Sequence, residues 1–395
     1  MMGLRKQVDK IKPNFEKGGK LSFLHSVFDG FEAFLFVPNT TTKKGTHVKD
    51  CVDLKRIMIT VVVALLPAFL FGIYNIGYQH NLAFGINMGF WQIVWYGFIR
   101  ILPLLLVSYI VGLGIEFISA QIKGHEINEG FLVTGFLIPL IMPIDVPLWM
   151  LALSTAFAVI IGKEVFGGTG MNIWNPALLA RAFIFFSYPS HMTGDTVWIK
   201  NLSNGVDAVN GQSVVDAFSG ATPLAQAAAE GHHISASFMD MFNGLIPGSI
   251  GETSVIAILI GAVILIATGV ASWKIMLSSV AGGLFIGLLG NLFCPDGTMA
   301  ASIPAYYQLV MGGFAFGTVF MATDPVSSCQ TESGKWVFGF LVGSVAVIIR
   351  LFNPGYPEGM MLSILLANTF ASLIDYIVVH NNINRRMNRA KVKTA

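Results

Sequence analysis

Ile57-Met58-Ile59-Thr60-Val61-Val62-Val63-Ala64-Leu65-Leu66-Pro67-Ala68-Phe69-Leu70-Phe71-Gly72-Ile73-Tyr74-Asn75-Ile76 runs for twenty residues without a charged side chain. About 20 apolar residues, rising ~1.5 Å each, cross the hydrocarbon core of a bilayer as one α-helix. The stretch therefore reads as a transmembrane helix, and similar stretches follow it. They lie near Ile93–Ile118, Gly130–Pro143, Leu148–Gly162, Pro176–Tyr188, Ser254–Ala271, Ile275–Phe293, Tyr306–Thr323, Trp336–Ile349 and Met360–Val379. The third, fourth, fifth and ninth of these about ten stretches are short for a full crossing and predict tilted, broken or re-entrant pieces. The whole chain agrees: 54% of its 395 residues are hydrophobic and 12% are charged. Soluble domains carry about 25% charged residues, which excludes an ordinary water-soluble globule.

Charge fixes the expected orientation. Sixteen of the 24 Lys and Arg residues precede Ile57 or follow His380, leaving eight for everything between. Basic segments stay on the cytoplasmic side, so both tails are expected inside and the number of crossings is even. With ten crossings Lys123, Lys163, Lys274 and Lys335 also fall at inner connections, and residues 190–253 become an outer, periplasmic loop. Arg100 and Arg181 remain within spans and need buried partners or an interfacial position. The amino terminus has no apolar run before Ile57, so insertion is expected to start from the first internal span. Three scattered cysteines, Cys51, Cys294 and Cys329, form no CxxC pair and exclude a disulfide framework or a Cys-rich metal site.

Self-comparison adds a repeat. Gly130-Phe131 and the run to Pro143 resemble Gly313-Phe314 and the run to Asp324-Pro325. Trp149 with Ala158-Val159-Ile160-Ile161 resembles Trp336 with Ala346-Val347-Ile348-Ile349, and Leu178-Leu179-Ala180-Arg181-Ala182-Phe183 resembles Leu365-Leu366-Ala367-Asn368-Thr369-Phe370. A unit of five crossings is odd, so two copies must sit in opposite orientation, with functional groups near their interface. The expected fold is an all-α polytopic membrane protein of about ten transmembrane helices, two inverted five-helix repeats. The expected divisions are a cytoplasmic tail (1–56), a first membrane repeat (57–189), the periplasmic loop (190–253), a second repeat (254–379) and a basic cytoplasmic tail (380–395). Within the first tail, Leu21 to Leu35 places apolar residues at helical spacing and reads as an amphipathic surface helix.

The outer loop contains Asp216-Ala217-Phe218-Ser219-Gly220-Ala221-Thr222, followed by Pro223-Leu224. This resembles the Asp-x-x-Ser/Thr-Gly-Ala-Thr/Ser signature of proteins that receive FMN as a phosphoester on the final hydroxyl residue, here Thr222. The residues suit that chemistry: a hydroxyl forms the ester, while Gly220 and Ala221 leave room for a modifying enzyme. The alternative is an Asp-Ser-Gly surface turn. Val52-Asp53-Leu54-Lys55-Arg56, Asn128-Glu129-Gly130-Phe131, Lys163-Glu164-Val165-Phe166-Gly167-Gly168-Thr169-Gly170, Asn175-Pro176-Ala177-Leu178 and Ala322-Thr323-Asp324-Pro325 extend the likeness along nearly the whole chain. Together they resemble the family of B-type membrane subunits of the sodium-translocating NADH:quinone reductases. The D-type membrane subunits of the Rnf electron-transport complexes are similar in their core spans and flavin motif, but typically lack so long a first tail.

The resemblance implies a component of a redox-driven sodium pump in the bacterial inner membrane. Covalent FMN on Thr222, within Asp216, Ser219, Gly220 and Ala221, and non-covalent riboflavin in the membrane domain would carry electrons toward ubiquinone. Implied partners are the NADH-oxidising flavin and iron–sulfur subunit, a second subunit with covalent FMN, a flavin transferase, lipid and Na+; no nucleic acid is expected. Neither a GxGxxG turn after a strand nor a phosphate-cradling GxxxxGK loop is present in the sequence, which leaves NADH to another subunit. Asn172, Asn175 and Arg181 are candidates to hydrogen-bond the uncharged riboflavin ring, the alternative being helix capping or polar packing. Sodium wants oxygen ligands, so Asp324, Asp375 and Glu129 are candidates for its path, against roles as a helix cap, an interfacial ion pair and a solvated surface group. A carrier without redox chemistry would account equally for an inverted repeat, but not for the Thr222 motif.

Overall fold

The computed structural model describes residues 2–15, 19, 21, 25–36, 42, 44–46, 54–123, 130–207, 211–215, 218–229, 234–293, 300–353 and 355–393. Among them the regular structure is helical, apart from one isolated β-bridge between Val206 and Ser213. Two helices precede the apolar body, α1 (Met2–Ile11) and α2 (His25–Leu35). The first half continues with α3 (Leu54–Phe84), α4 (Phe90–Lys123), α5 (Phe131–Leu140), α6 (Leu148–Val159) and α7 (Pro176–Ser187). The connection beyond it carries α8 (Pro223–Ala228) and α9 (Phe238–Asn243). The second half holds α10 (Val255–Ala267), α11 (Trp273–Phe293), α12 (Tyr307–Val310), α13 (Phe314–Phe316), α14 (Glu332–Phe352) and α15 (Gly359–Lys393). Both α6 and α13 run on as π-helical turns, Ile160–Glu164 and Gly317–Met321.

Five helices are long and apolar enough to cross a membrane: α3, α4, α11, α14 and α15. The shorter α5, α7 and α10 are apolar as well. Their surfaces explain why. On α4, Trp91, Trp95, Ile99, Leu102, Leu106 and Ile110 all face outward, whereas Ser108, Gly112 and Glu116 are buried. A lipid solvent imposes this inversion: apolar side chains lose nothing outside, and small or hydrogen-bonded groups let helices approach.

Packing repeats a pattern in the two halves. In the first, α4 packs on α5 and α6, and α6 on α7; in the second, α11 packs on α12 and α14, and α14 on α15. The halves meet where α3 crosses α10 and α7 touches α15. The α11–α14 seam is close because α14 turns Gly339 and Gly343 toward the backbone of Ile275 and Ser279, where a β-carbon would collide. Small residues in such rows are what bring transmembrane helices together.

Several boundaries depart from the sequence expectations. The first span runs on from Ile76 to Phe84, because Asn75, Gln79 and His80 are buried against the long connection instead of ending the helix. Asn75 Nδ2 donates to the Ile246 carbonyl at 2.9 Å, and His80 Nε2 meets Asp207 Oδ1 at 3.2 Å. The eighth expected span is broken into α12, α13 and the π turn. The ninth, expected to be short, is a helix of 21 residues, extended by Thr331, whose side chain caps α14 by accepting from Gly334 N. Of the amphipathic segment, α2 is described; it packs on α4, and Phe28 stacks on Phe15 at 4.7 Å.

Candidate functional site

Two groups of polar residues stand out inside the apolar body. The first surrounds a cavity of about 770 Å³ between the starts of α3, α5 and α7 and the two π turns. Asn172, Asn175, Lys163, Thr169, Thr323 and Asp324 supply its polar wall; Val133, Leu137 and Phe320 are among its apolar wall. Its lining has the mixture of an apolar body and a few polar groups found in small-molecule sites.

Local chain geometry places these side chains. Asn175 is the N-cap of α7: its Oδ1 accepts from Ala177 N at 3.0 Å and Leu178 N at 3.4 Å, and Pro176 follows at the first helical position. Its amide nitrogen is left to donate to Asp324 Oδ2 at 3.5 Å. Asn172 donates to the Trp174 carbonyl at 3.0 Å. Before it, Gly167, Gly168 and Gly170 have φ of +118°, +99° and +90°, a backbone that only glycine adopts readily, and Thr169 between them lines the cavity. Asp324 follows the second π turn and accepts from Val326 N at 3.2 Å and Ser327 Oγ at 2.8 Å. Thus Asn175 and Asp324, assigned separately to riboflavin and to sodium, share one wall.

The charge pattern puts Lys163 at an inner connection, but its side chain is buried and paired with Glu116 of α4, while its Nζ lies 6.0 Å from the centre of the Phe131 ring. Next to it, Glu164 accepts from Ser119 and from Lys123, at 2.8 Å for the latter. Burial alone would raise the Glu164 carboxyl; the hydrogen bonds from Lys123 and Ser119, with the charge of Lys123, hold it below the ordinary carboxylate range.

The second group is centred on Arg181. Its guanidinium donates to Glu252 Oε1 at 2.7 Å, to Glu358 Oε2 at 2.6 Å and to Ser249 Oγ at 3.4 Å. Arg181 therefore does not share the cavity of Asn172 and Asn175; it lies further along α7, beside Arg350, Gly313 and Leu224. Arg350 reaches the carbonyls of Gln308 at 2.7 Å and Met311 at 3.0 Å. Arg100 instead lies 5.0 Å above the Tyr96 ring.

Thr222 borders this second group. It is the N-cap of α8, with its Oγ1 accepting from Ala225 N at 3.1 Å, and it lines two neighbouring cavities that also reach Glu358. Ser219 Oγ accepts from Ala221 N at 3.3 Å. Gly220 is needed for close approach, because a β-carbon there would strike the Asp195 carbonyl. Asp216 and Glu129 lie outside the described residues. Asp375 has both oxygens engaged, accepting from Gln330 N at 2.7 Å and from Thr331 N at 3.0 Å, which braces the turn before α14. Among the described residues no group of three or more His, Cys, Asp and Glu could hold a metal ion.

The ion-paired residues of these two groups that sequence reasoning passed over are Glu116, Glu252 and Glu358. Glu116 had a signal, a carboxylate inside an apolar span. The others sit in connections where no local spacing marks them.

Comparison with known proteins fits these observations. A model of the NQR2, RnfD, RnfE family matches residues 41–384. The chain belongs to that family. Named members include the B-type subunit of the Na(+)-translocating NADH-quinone reductase of Ectopseudomonas mendocina, 45% identical and covering 98% of this chain and 100% of the relative. The protein of the same name from Chromohalobacter salexigens is 44% identical over 98% of this chain and 97% of its own length. That from Azotobacter vinelandii is 45% identical over 98% and 100%. The family resemblance expected from the Thr222 motif and the scattered segments therefore holds along the chain.

Proposed function

We propose that this chain is the B-type subunit of a sodium-translocating NADH:quinone reductase, a membrane component that passes electrons to quinone and contributes to sodium movement. The observation that carries this reading is the 45% identity to a relative of that name over 98% of this chain and 100% of the relative. Because the match takes in the first tail, it favours this complex over its Rnf counterpart. A solute carrier without redox chemistry has no use for the Thr222 motif.

On this reading Thr222 carries FMN as a phosphoester, and the cavity of Asn172 and Asn175 holds riboflavin. Flavins supply one- and two-electron chemistry when bound; the residues supply position and charge. The fit is chemical: riboflavin carries several polar ring and ribityl groups, and the wall offers the amides of Asn172 and Asn175 and the hydroxyls of Thr169 and Thr323, with Lys163 and Asp324 beside them. Thr222 has its hydroxyl hydrogen free to be replaced, since it acts there as an acceptor, and two cavities adjoin it. Asp324, Asp375 and Glu129 are assigned to the sodium path, with Asp324 placed to sense the charge of a ligand in the same cavity as Asn175.

The matching packing of the two halves supports two five-helix repeats, read here as inverted, and the Lys and Arg bias of the tails supports both tails inside the bacterial inner membrane with Thr222 outside. The partners are then the NADH-oxidising flavin and iron–sulfur subunit, the second covalent-FMN subunit and a flavin transferase, with ubiquinone as acceptor. Mass spectrometry of the tryptic peptide containing Thr222, from protein made in its native host, tests the central assignment. An FMN-sized mass increase that disappears in Thr222→Ala is expected. An unmodified peptide, with an active transferase present, overturns the redox role of Thr222.

A further inference from the structure

Trp198 lines both cavities that border Thr222. Its indole is 8% exposed, and its Nε1 donates to the Gly194 carbonyl at 2.9 Å, which fixes the rotation of the ring about its own chain. Glu358 lines the same two cavities and is anchored from behind by Arg181 at 2.6 Å. Met192, Leu224, Ala225 and Pro357 complete an apolar wall in the larger cavity. In the smaller one, Thr253 Oγ1 is a buried polar atom with no hydrogen-bond partner. Buried hydroxyls are rarely left in that condition unless a further polar molecule is meant to sit against them.

A flat, electron-poor heteroaromatic ring suits this arrangement. A held indole presents an electron-rich face, aromatic stacking adds to the burial of area, and a carboxylate at the edge can accept from a ring N–H. The ribityl phosphate arm of FMN is short, so a ring tethered at Thr222 must settle among residues close to that side chain. Trp198 and Glu358 are the aromatic and the charged residue common to both cavities there.

We infer that Trp198 is the stacking partner of the isoalloxazine ring carried on Thr222, and that Glu358, positioned by Arg181, lies at the edge of that ring in the larger cavity. This rests on the covalent-FMN reading above and adds the ring's binding site to it. Two consequences differ in kind. Electron transfer from a stacked indole quenches an excited flavin, so Trp198 keeps the attached flavin dark. A carboxylate near the ring opposes the negative charge that reduction adds, so Glu358 lowers the reduction potential.

The test uses the assembled complex from its native host, with the Thr222→Ala complex as the background lacking this flavin. Fluorescence of the denatured chain in a gel first measures attachment. In Trp198→Ala, attachment equal to the wild type with a severalfold rise in folded-state fluorescence is expected; Trp198→Phe, which preserves packing, gives a smaller rise. Glu358→Gln shifts the midpoint potential of the Thr222 flavin upward in a spectroelectrochemical titration, with the other flavins unmoved. An attached flavin whose fluorescence and potential are unchanged in all three variants overturns the inference and leaves the covalent reading intact. Absence of an attached flavin in the wild type overturns both.

Discussion

Removing the ammonium of Lys163 takes from Glu116, itself 5% exposed, the cation that it faces inside the protein. Breaking a buried ion pair from one side costs about 3–5 kcal/mol, while replacing both partners with apolar groups is often neutral. Lys163→Met should accordingly lower the thermal midpoint in detergent by several degrees, and adding Glu116→Met should recover most of the loss. Asp324 invites a different measurement. With its carboxylate replaced in Asp324→Asn, turnover of the complex should need a severalfold higher sodium concentration for half-saturation, while Thr222 keeps its flavin. At Glu164 the folded carboxyl lies below its unfolded value, so the contacts with Lys123 and Ser119 stabilise the junction above that unfolded value and are lost as pH falls through the folded one. Protection factors at residues 160–168, taken relative to the intrinsic exchange rate at each pH, should therefore fall once the pH drops below the ordinary carboxylate range, and Glu164→Gln should remove that dependence. Individual site residues were legible where they carried chemistry in an apolar setting, as Asn175 and Asp324 did. Their meeting was not, because 149 residues separate them and no local spacing encodes a contact between halves.

Between helices, side-chain volume at the seams decides how closely two backbones approach. Gly343→Ile would drive a branched side chain into the α11 backbone at Ser279, forcing α14 away along a contact that is otherwise built from small residues. Loss of detergent-stable protein, read as a shift to the void volume in size-exclusion chromatography, is expected, whereas Gly114→Ala, where a β-carbon meets nothing, should be silent. Among the described residues, apolar runs located the five helices long and apolar enough to cross a membrane and the shorter apolar α5, α7 and α10, since hydrocarbon demands apolar surface and internal backbone hydrogen bonds together. Helix ends were less legible. Asn75, Gln79 and His80 look like a stop in hydropathy, yet Asn75 and His80 find partners on the connection between the halves and Gln79 donates to Asn75, so α3 continues past them. The break between α12 and α13 could not be read from composition either, because Gly312 and Gly313 differ little from the packing glycines of intact helices.

Taken as one body, the chain has a positively charged pole: α15 runs on past its apolar part to Lys393, carrying Arg385, Arg386 and Arg389 with no acidic residue after Asp375. Trypsin added to inside-out vesicles should remove this end, and with Cys51, Cys294 and Cys329 replaced by serine a maleimide reagent directed at Ala221→Cys should label only right-side-out vesicles; the opposite result would invert the assigned topology. The bias of Lys and Arg toward the two tails made that expectation available from sequence alone. The arrangement of the two cavities was not available, because it depends on α7 packing among α5, α6 and α15. That helix has Asn175 at one end and Arg181 further along it, a rise of about 9 Å. It is a single stiff shaft with one crank at its start and another midway along it. Any rotation of this helix that loosened the amide of Asn175 from Asp324 would also move the guanidinium against Glu252 and Glu358, so the two polar groups share one rigid element.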